Sequence, residues 1–123
     1  GTRGSSSEAA TNHLAFNYFP EKGLLGVPMT VCEGGAAGVH GNEITFSGLY
    51  VYDVSVERGF HRRGGVDHSS RGVSCSTWWS RATSTVKRSV FLDDLVYSIA
   101  GDRVKVQRLG SLGRDEAELP MTP

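Results

Sequence analysis

Apolar and polar positions alternate along most of this chain with a period of two, the signature of strands that bury one face. His13–Phe19 (HLAFNYF) runs into Pro20-Glu21-Lys22-Gly23, a turn with proline early and glycine late. Leu24–Cys32 runs back, a glycine-rich stretch follows over Glu33–Asn42, and strand character resumes over Glu43–Val56. Glu57-Arg58-Gly59 turns the chain into a charged strand, Phe60–Asp67. After an irregular stretch, His68–Thr85, the pattern restarts with Val86–Leu92, a turn at Asp93-Asp94 and Leu95–Ala100. Gly101-Asp102 then leads to Arg103–Leu109, and Gly110–Arg114 to a last strand, Glu116–Met121. Val, Ile, Thr, Tyr and Phe fill these runs, as strands prefer. No window carries an amphipathic helix of useful length, so the expectation is eight strands in two meanders of four.

The two meanders repeat one another at a constant offset. Leu49-Tyr50-Val51-Tyr52-Asp53-Val54 lines up with Val104-Lys105-Val106-Gln107-Arg108-Leu109. Leu49 and Val51 fall on Val104 and Val106, and Val54 falls on Leu109. Each run follows a strand-like segment and turn, Leu24–Thr30 before the first and Leu95–Ala100 before the second. A four-strand unit occurring twice predicts an all-β fold of two four-stranded antiparallel β-propeller blades. Propellers close by radial repetition of roughly four to eight blades, so two would be part of a larger ring. A free-standing eight-stranded barrel or sandwich is the alternative. The blades are expected over 13–68 and 86–123, the second with a C-terminal tail, joined by an inter-blade loop at 69–85. Residues 1–12 (GTRGSSSEAATN) are small and polar and are expected to form a flexible lead-in outside the fold.

Composition adds limits. At 123 residues the chain is one domain or less. Thirteen basic residues balance thirteen acidic ones, so no global field draws it to nucleic acid or a membrane surface. Hydrophobic residues make up 38%, low for a self-contained core, and sixteen glycines imply many turns. No apolar run approaches the roughly 18–20 residues of a membrane helix. Nothing within the chain has the make-up of a signal peptide, so an export signal would lie upstream.

Several segments together resemble the secreted bacterial and archaeal proteins with a C-terminal β-propeller domain, distantly WD40-like. The matching pieces are Tyr18-Phe19-Pro20-Glu21-Lys22-Gly23-Leu24-Leu25-Gly26-Val27-Pro28 and Phe46-Ser47-Gly48-Leu49-Tyr50-Val51-Tyr52-Asp53-Val54. They continue through Gly59-Phe60 and Gly64-Gly65-Val66-Asp67-His68, then Arg88-Ser89-Val90-Phe91-Leu92-Asp93-Asp94-Leu95-Val96-Tyr97-Ser98-Ile99. Arg103-Val104-Lys105-Val106 and Glu118-Leu119-Pro120 complete them. The likeness covers nearly everything from His13 to Met121 and places these residues in the last two blades. It implies export, a multi-blade ring and a role in binding. The glycine-rich Glu33–Asn42 insert and the two cysteines depart from it.

In a propeller, Cys32 would sit in the loop between the second and third strands of the first blade, and Cys75 in the connection between blades. Those loops share a face, which makes a Cys32–Cys75 disulfide geometrically possible in an exporting compartment. Closing about 43 residues would contribute roughly 3–4 kcal/mol in the chain-entropy model. Two free thiols, or a cysteine kept for an intermolecular bond, are the alternatives, and nothing nearby would activate either as a nucleophile.

The same loops hold the binding candidates His40, Trp78, Trp79 and Arg81. Adjacent tryptophans cannot both easily face one core, so they read either as an aromatic anchor or as a plug between blades. Arg58, Arg62, Arg63, Arg71, Arg81, Lys87 and Arg88 form the one local charge bias. On an outermost strand, Arg62-Arg63 protect an edge from pairing with another chain, a better account than a nucleic-acid footprint. His61 and His68 are seven apart with no ligand geometry, so no metal is expected. Gly72-Val73-Ser74-Cys75-Ser76 has only the first half of a nucleophile elbow. No catalytic residue and no cofactor is expected.

The functional expectation is a non-enzymatic, extracytoplasmic scaffold that presents Glu33–Asn42 and His68–Thr85 to a partner. The alternative is part of a channel-type propeller enzyme, a hydrolase or lyase, with its catalytic residues mainly in further blades. The innermost strands would contribute only Asn17 and Ser89 to such a channel. Expected partners are other propeller blades, from the rest of a parent chain or from copies of this one, and an extracellular protein or glycan. Neither nucleic acid nor a membrane span is expected.

Overall fold

The computed structural model describes residues 4–35, 41–69, 74–75 and 85–122. Eight strands form two four-stranded antiparallel sheets, each in sequential order. The first sheet holds β1 (Asn17–Phe19), β2 (Leu24–Glu33), β3 (Glu43–Ser55) and β4 (Gly59–Asp67). The second holds β5 (Val86–Leu92), β6 (Leu95–Ala100), β7 (Arg103–Arg108) and β8 (Asp115–Pro120). Both meanders appear where alternation places them.

The first strand is shorter than alternation implies. His13–Ala15 form a 3₁₀ turn, held because the Asn12 side chain accepts the Leu14 N–H at 3.1 Å. A three-residue β1 covers β2 only from Leu24 to Gly26. The rest of that edge is not reached by β1, and the preceding segment supplies partners along it. Ser6 and Thr30 exchange backbone hydrogen bonds of 2.9 and 2.8 Å. Cys32 N–H donates to Ser5 Oγ at 2.9 Å, Ser7 Oγ donates to Pro28 O at 2.5 Å, and Glu8 pairs with Lys87 at 2.9 Å. Residues 4–12, expected as a loose lead-in, therefore belong to the fold. Their small polar composition supplies hydroxyls that bond the open edge of β2.

The repeat extends to backbone detail. Leu24 faces Asp53 as Leu95 faces Arg108. Val54 N–H donates to Gly23 O, and Leu109 N–H to Asp94 O, both at 2.8 Å. Each sheet has a register shift between its third and fourth strands, at Val51/Tyr52 and at Val106/Gln107, which the offset superimposes. The residues skipped by the pairing, Arg63 and Glu116, each form an ion pair with the matching third-strand residue. These pairs are Arg63–Asp53 at 3.0 Å and Glu116–Arg108 at 3.1 Å, with the signs exchanged.

The core is the seam between the sheets. Leu24, Leu49, Val51 and Val66 of the first meet Val86, Phe91, Val96 and Leu109 of the second, with Phe19 and Leu112 at its margin. Fully burying such side chains contributes about 1.5–3 kcal/mol each. Gly64 admits Leu112, since a Cβ there would lie 2.8 Å from the leucine's own Cβ. Register puts Leu25, Val27, Phe46, Tyr50 and Tyr52 on the opposite face of the first sheet. There Phe46 stacks on Tyr50 at 4.3 Å and Arg62 lies 4.9 Å above the Tyr50 ring. The opposite face of the second sheet carries Val90, Tyr97, Ile99, Val104 and Leu119.

Within the first sheet, a Cβ on Gly48 would collide with the Val66 carbonyl, because β3 and β4 lie too close there. Gly48→Ala should cost about 1–3 kcal/mol in urea unfolding. Gly110→Ala, where an added Cβ meets nothing within 4 Å, should stay within about 0.5 kcal/mol.

Candidate loop-face interaction site

The loop after β2 and the connection after β4 leave the sheets on one face, because alternate connections of a meander fall on the same side. The structure joins them covalently. Cys32, at the end of β2, is disulfide-bonded to Cys75, 43 residues on, with a Cα–Cα distance of 6.1 Å inside the ordinary range. Free thiols and an intermolecular bond are thereby replaced by an internal link. Both cysteines are buried and pack with Ile44 in a small cluster separate from the main seam. The Cys32 backbone also bonds Ser5, so four segments converge there: the chain start, β2, β3 and the inter-sheet connection.

The residues singled out for binding lie outside the described residues. In sequence, His40 stands between Gly35 and Gly41, and Trp78, Trp79 and Arg81 between Cys75 and Thr85. Those are the two loops that the disulfide ties together.

Beside them, at the root of the connection, stands a group that sequence reasoning passed over. His68 follows β4 directly and is 1% exposed. Its backbone N–H donates to Ser47 O at 2.7 Å, and its Nε2 lies 2.6 Å from Ser98 Oγ on β6. Ser98 Oγ also donates to Lys105 O at 3.4 Å. The bond links the root of the connection to the second sheet. His68 Nδ1 is buried without a hydrogen-bond partner among the described residues. Burial, reinforced by the positive charges of Lys105 and Arg103, lowers the imidazole pKa to about 4, and Asp102 and Asp115 offset part of this. The usable signal was Ser98, a hydroxyl in the buried register of an apolar strand, where a polar group requires a partner.

Lys105 extends the same side of the seam, donating to Asp67 O at 3.0 Å and pairing with Asp115 at 3.1 Å. Asp115 also accepts from buried Gln107 at 2.6 Å, and Gln107 Oε1 accepts the Gly113 N–H at 2.8 Å. A groove of about 530 Å³ runs between the chain start and β5, lined by Ser5, Ser7, Thr11, Thr30 and Thr85 with the Glu8–Lys87 pair. On the innermost strands, Asn17 Nδ2 donates to Ser89 O at 2.9 Å. The basic residues of β4 lie on the outer edge of the first sheet, Arg62 stacked on Tyr50 and Arg63 paired with Asp53. Among the described residues, no three His, Cys, Asp or Glu side chains converge as a metal site would need.

A family model described as a beta propeller domain matches residues 1–112. No curated protein and no solved structure matches the chain.

Replacing both cysteines by serine should lower the unfolding free energy by roughly 3–4 kcal/mol, with the far-UV signal of the sheets retained. His68 sets a pH dependence of definite sign. As pH falls from about 6.5 to 4, the unfolded chain takes up a proton that the folded chain refuses. The contribution of neutral His68 is therefore complete above about pH 6.5 and is lost toward pH 4, by about 3 kcal/mol. Urea midpoints across that window should fall steeply for the parent chain and flatten in His68→Gln.

Proposed function

Since the chain belongs to the beta propeller domain family, we propose that it works as an extracytoplasmic interaction scaffold, docking an extracellular protein or glycan on its loop face. The observation that carries this reading is the Cys32–Cys75 disulfide, which ties the inter-sheet connection at Cys75 to the end of β2, where the other loop begins. Ordering loops in advance reduces the entropy lost when a partner docks. Trp78, Trp79 and Arg81 follow Cys75 within six residues, and tryptophan and arginine are the side chains that dominate interface energetics. The disulfide also supports export, because such bonds persist in oxidising compartments. The motif resemblance extends this to the last two blades of a secreted, distantly WD40-like ring. The loop face joined by the Cys32–Cys75 link is the working surface, and the blades are its frame.

The test is a screen of the chain against a glycan array and a panel of extracellular proteins, followed by titration of each hit. The expected result is saturable binding that weakens at least tenfold in the double variant Trp78→Ala/Trp79→Ala. It should weaken similarly in Cys32→Ser/Cys75→Ser, with the sheets still folded. Binding indifferent to both variants, or chemical turnover of the bound ligand, would overturn the scaffold reading.

A further inference from the structure

The repeat identifies what each sheet face is built to meet. Leu49 and Val51 correspond to Val104 and Val106, and register adds Gly64 matched to Ala117, since these face Val51 and Val106 respectively. In the first sheet, Leu49 and Val51 are fully covered by the second sheet. On the corresponding face of the second sheet Val106 is buried within its own sheet, but no other sheet covers it among the described residues, and Val90, Leu92 and Leu119 lie 46%, 55% and 56% exposed. The far face of the first sheet is open too, with Tyr18 49% and Phe60 69% exposed beside Tyr50 and Tyr52. The offset makes it the counterpart of the face by which the second sheet grips the first.

The correspondence accounts for Val56, an apolar side chain that is wholly exposed at 105%. Val56 sits on the turn between β3 and β4, as Leu112 sits on the turn between β7 and β8. At the internal seam Leu112 seats on Gly64. Placing the first sheet of another molecule against the open face of the second would seat Val56 on Ala117 in the same way.

We infer that the occupant of these faces is a second copy of this chain, docked head to tail so that the second sheet of one molecule covers the first sheet of the next. The contact repeats the geometry of the internal seam and joins two different surfaces, so it closes only as a ring. With roughly four to eight blades per propeller, two to four copies complete it. The inference rests on the propeller assignment and is independent of the loop-face reading.

Sedimentation velocity and light scattering on the 123-residue chain should give a single mass two, three or four times 13.2 kDa. Val56→Asp disables one face and Leu119→Asp the other, and both residues are exposed enough to leave the monomer folded. Each variant alone should be a monomer, and an equimolar mixture should form a one-to-one pair through the two intact faces. Trp78→Ala/Trp79→Ala should assemble like the parent, which separates this test from the binding test. A folded monomer of the parent at about 100 µM would overturn the inference and leave further blades of a longer polypeptide as the occupant. A variant mixture that stays monomeric would overturn the head-to-tail contact, and an open-ended ladder of masses would overturn ring closure.

Discussion

The seam between the two sheets is the constraint on which the rest of this molecule depends. Among the described residues neither meander has a second layer of its own, and a sheet that buries only one face cannot be stable without a partner. Leu49, Val51 and Val66 from one side and Phe91 and Val96 from the other supply that layer. Because the two meanders are successive copies of one unit, each sheet can cover only one face of the other. Burial at the centre therefore entails exposure at both ends. The uncovered apolar residues follow from the repeat.

Around the seam, polar links set the geometry that apolar contact leaves loose. His68 holds the connection to Ser98, Lys105 reaches back to Asp67, and Asn17 bonds the backbone of Ser89. Each is a single bond between the first sheet or its exit and the second, and together they restrict sliding and rotation at a surface that dispersion alone would tolerate in several settings. The disulfide acts further out, beyond the main core, where among the described residues Ile44 is the buried hydrophobic residue clustered with the two cysteines.

Strand order was legible from the chain because alternation, turn chemistry and the repeat all point the same way. Glycine and proline mark Pro20–Gly23, aspartates mark Asp93-Asp94, and no stretch competes as a helix. The disulfide was legible only through the topology, since residues 43 apart approach each other only once meander connections are assigned to faces. Two features were not legible. The docking of residues 4–12 depends on an unpaired edge of β2, which exists because β1 is short, and nothing in GTRGSSSEAATN announces an edge. The burial of His68 depends on a serine thirty residues away across the seam, a relation that periodicity does not encode. Local pattern specifies strands and turns, whereas seats created by two sheets meeting require the sheets to be placed first.

The exchanged ion pairs at the two bulges carry a consequence for assembly. Repeated units of similar shape invite a strand of one to pair with the body of the other, inside one molecule or between two. Here Asp53 attracts Arg63 and Arg108 attracts Glu116. An outer strand that crossed over would bring Asp53 to Glu116, or Arg108 to Arg63, with like charges facing at a position where the ladder is already interrupted. Reversing one pair of signs therefore biases each outer strand toward its own hairpin, by the small amount that an exposed ion pair contributes. Each blade keeps its own edge, and the similarity that builds the seam does not scramble it.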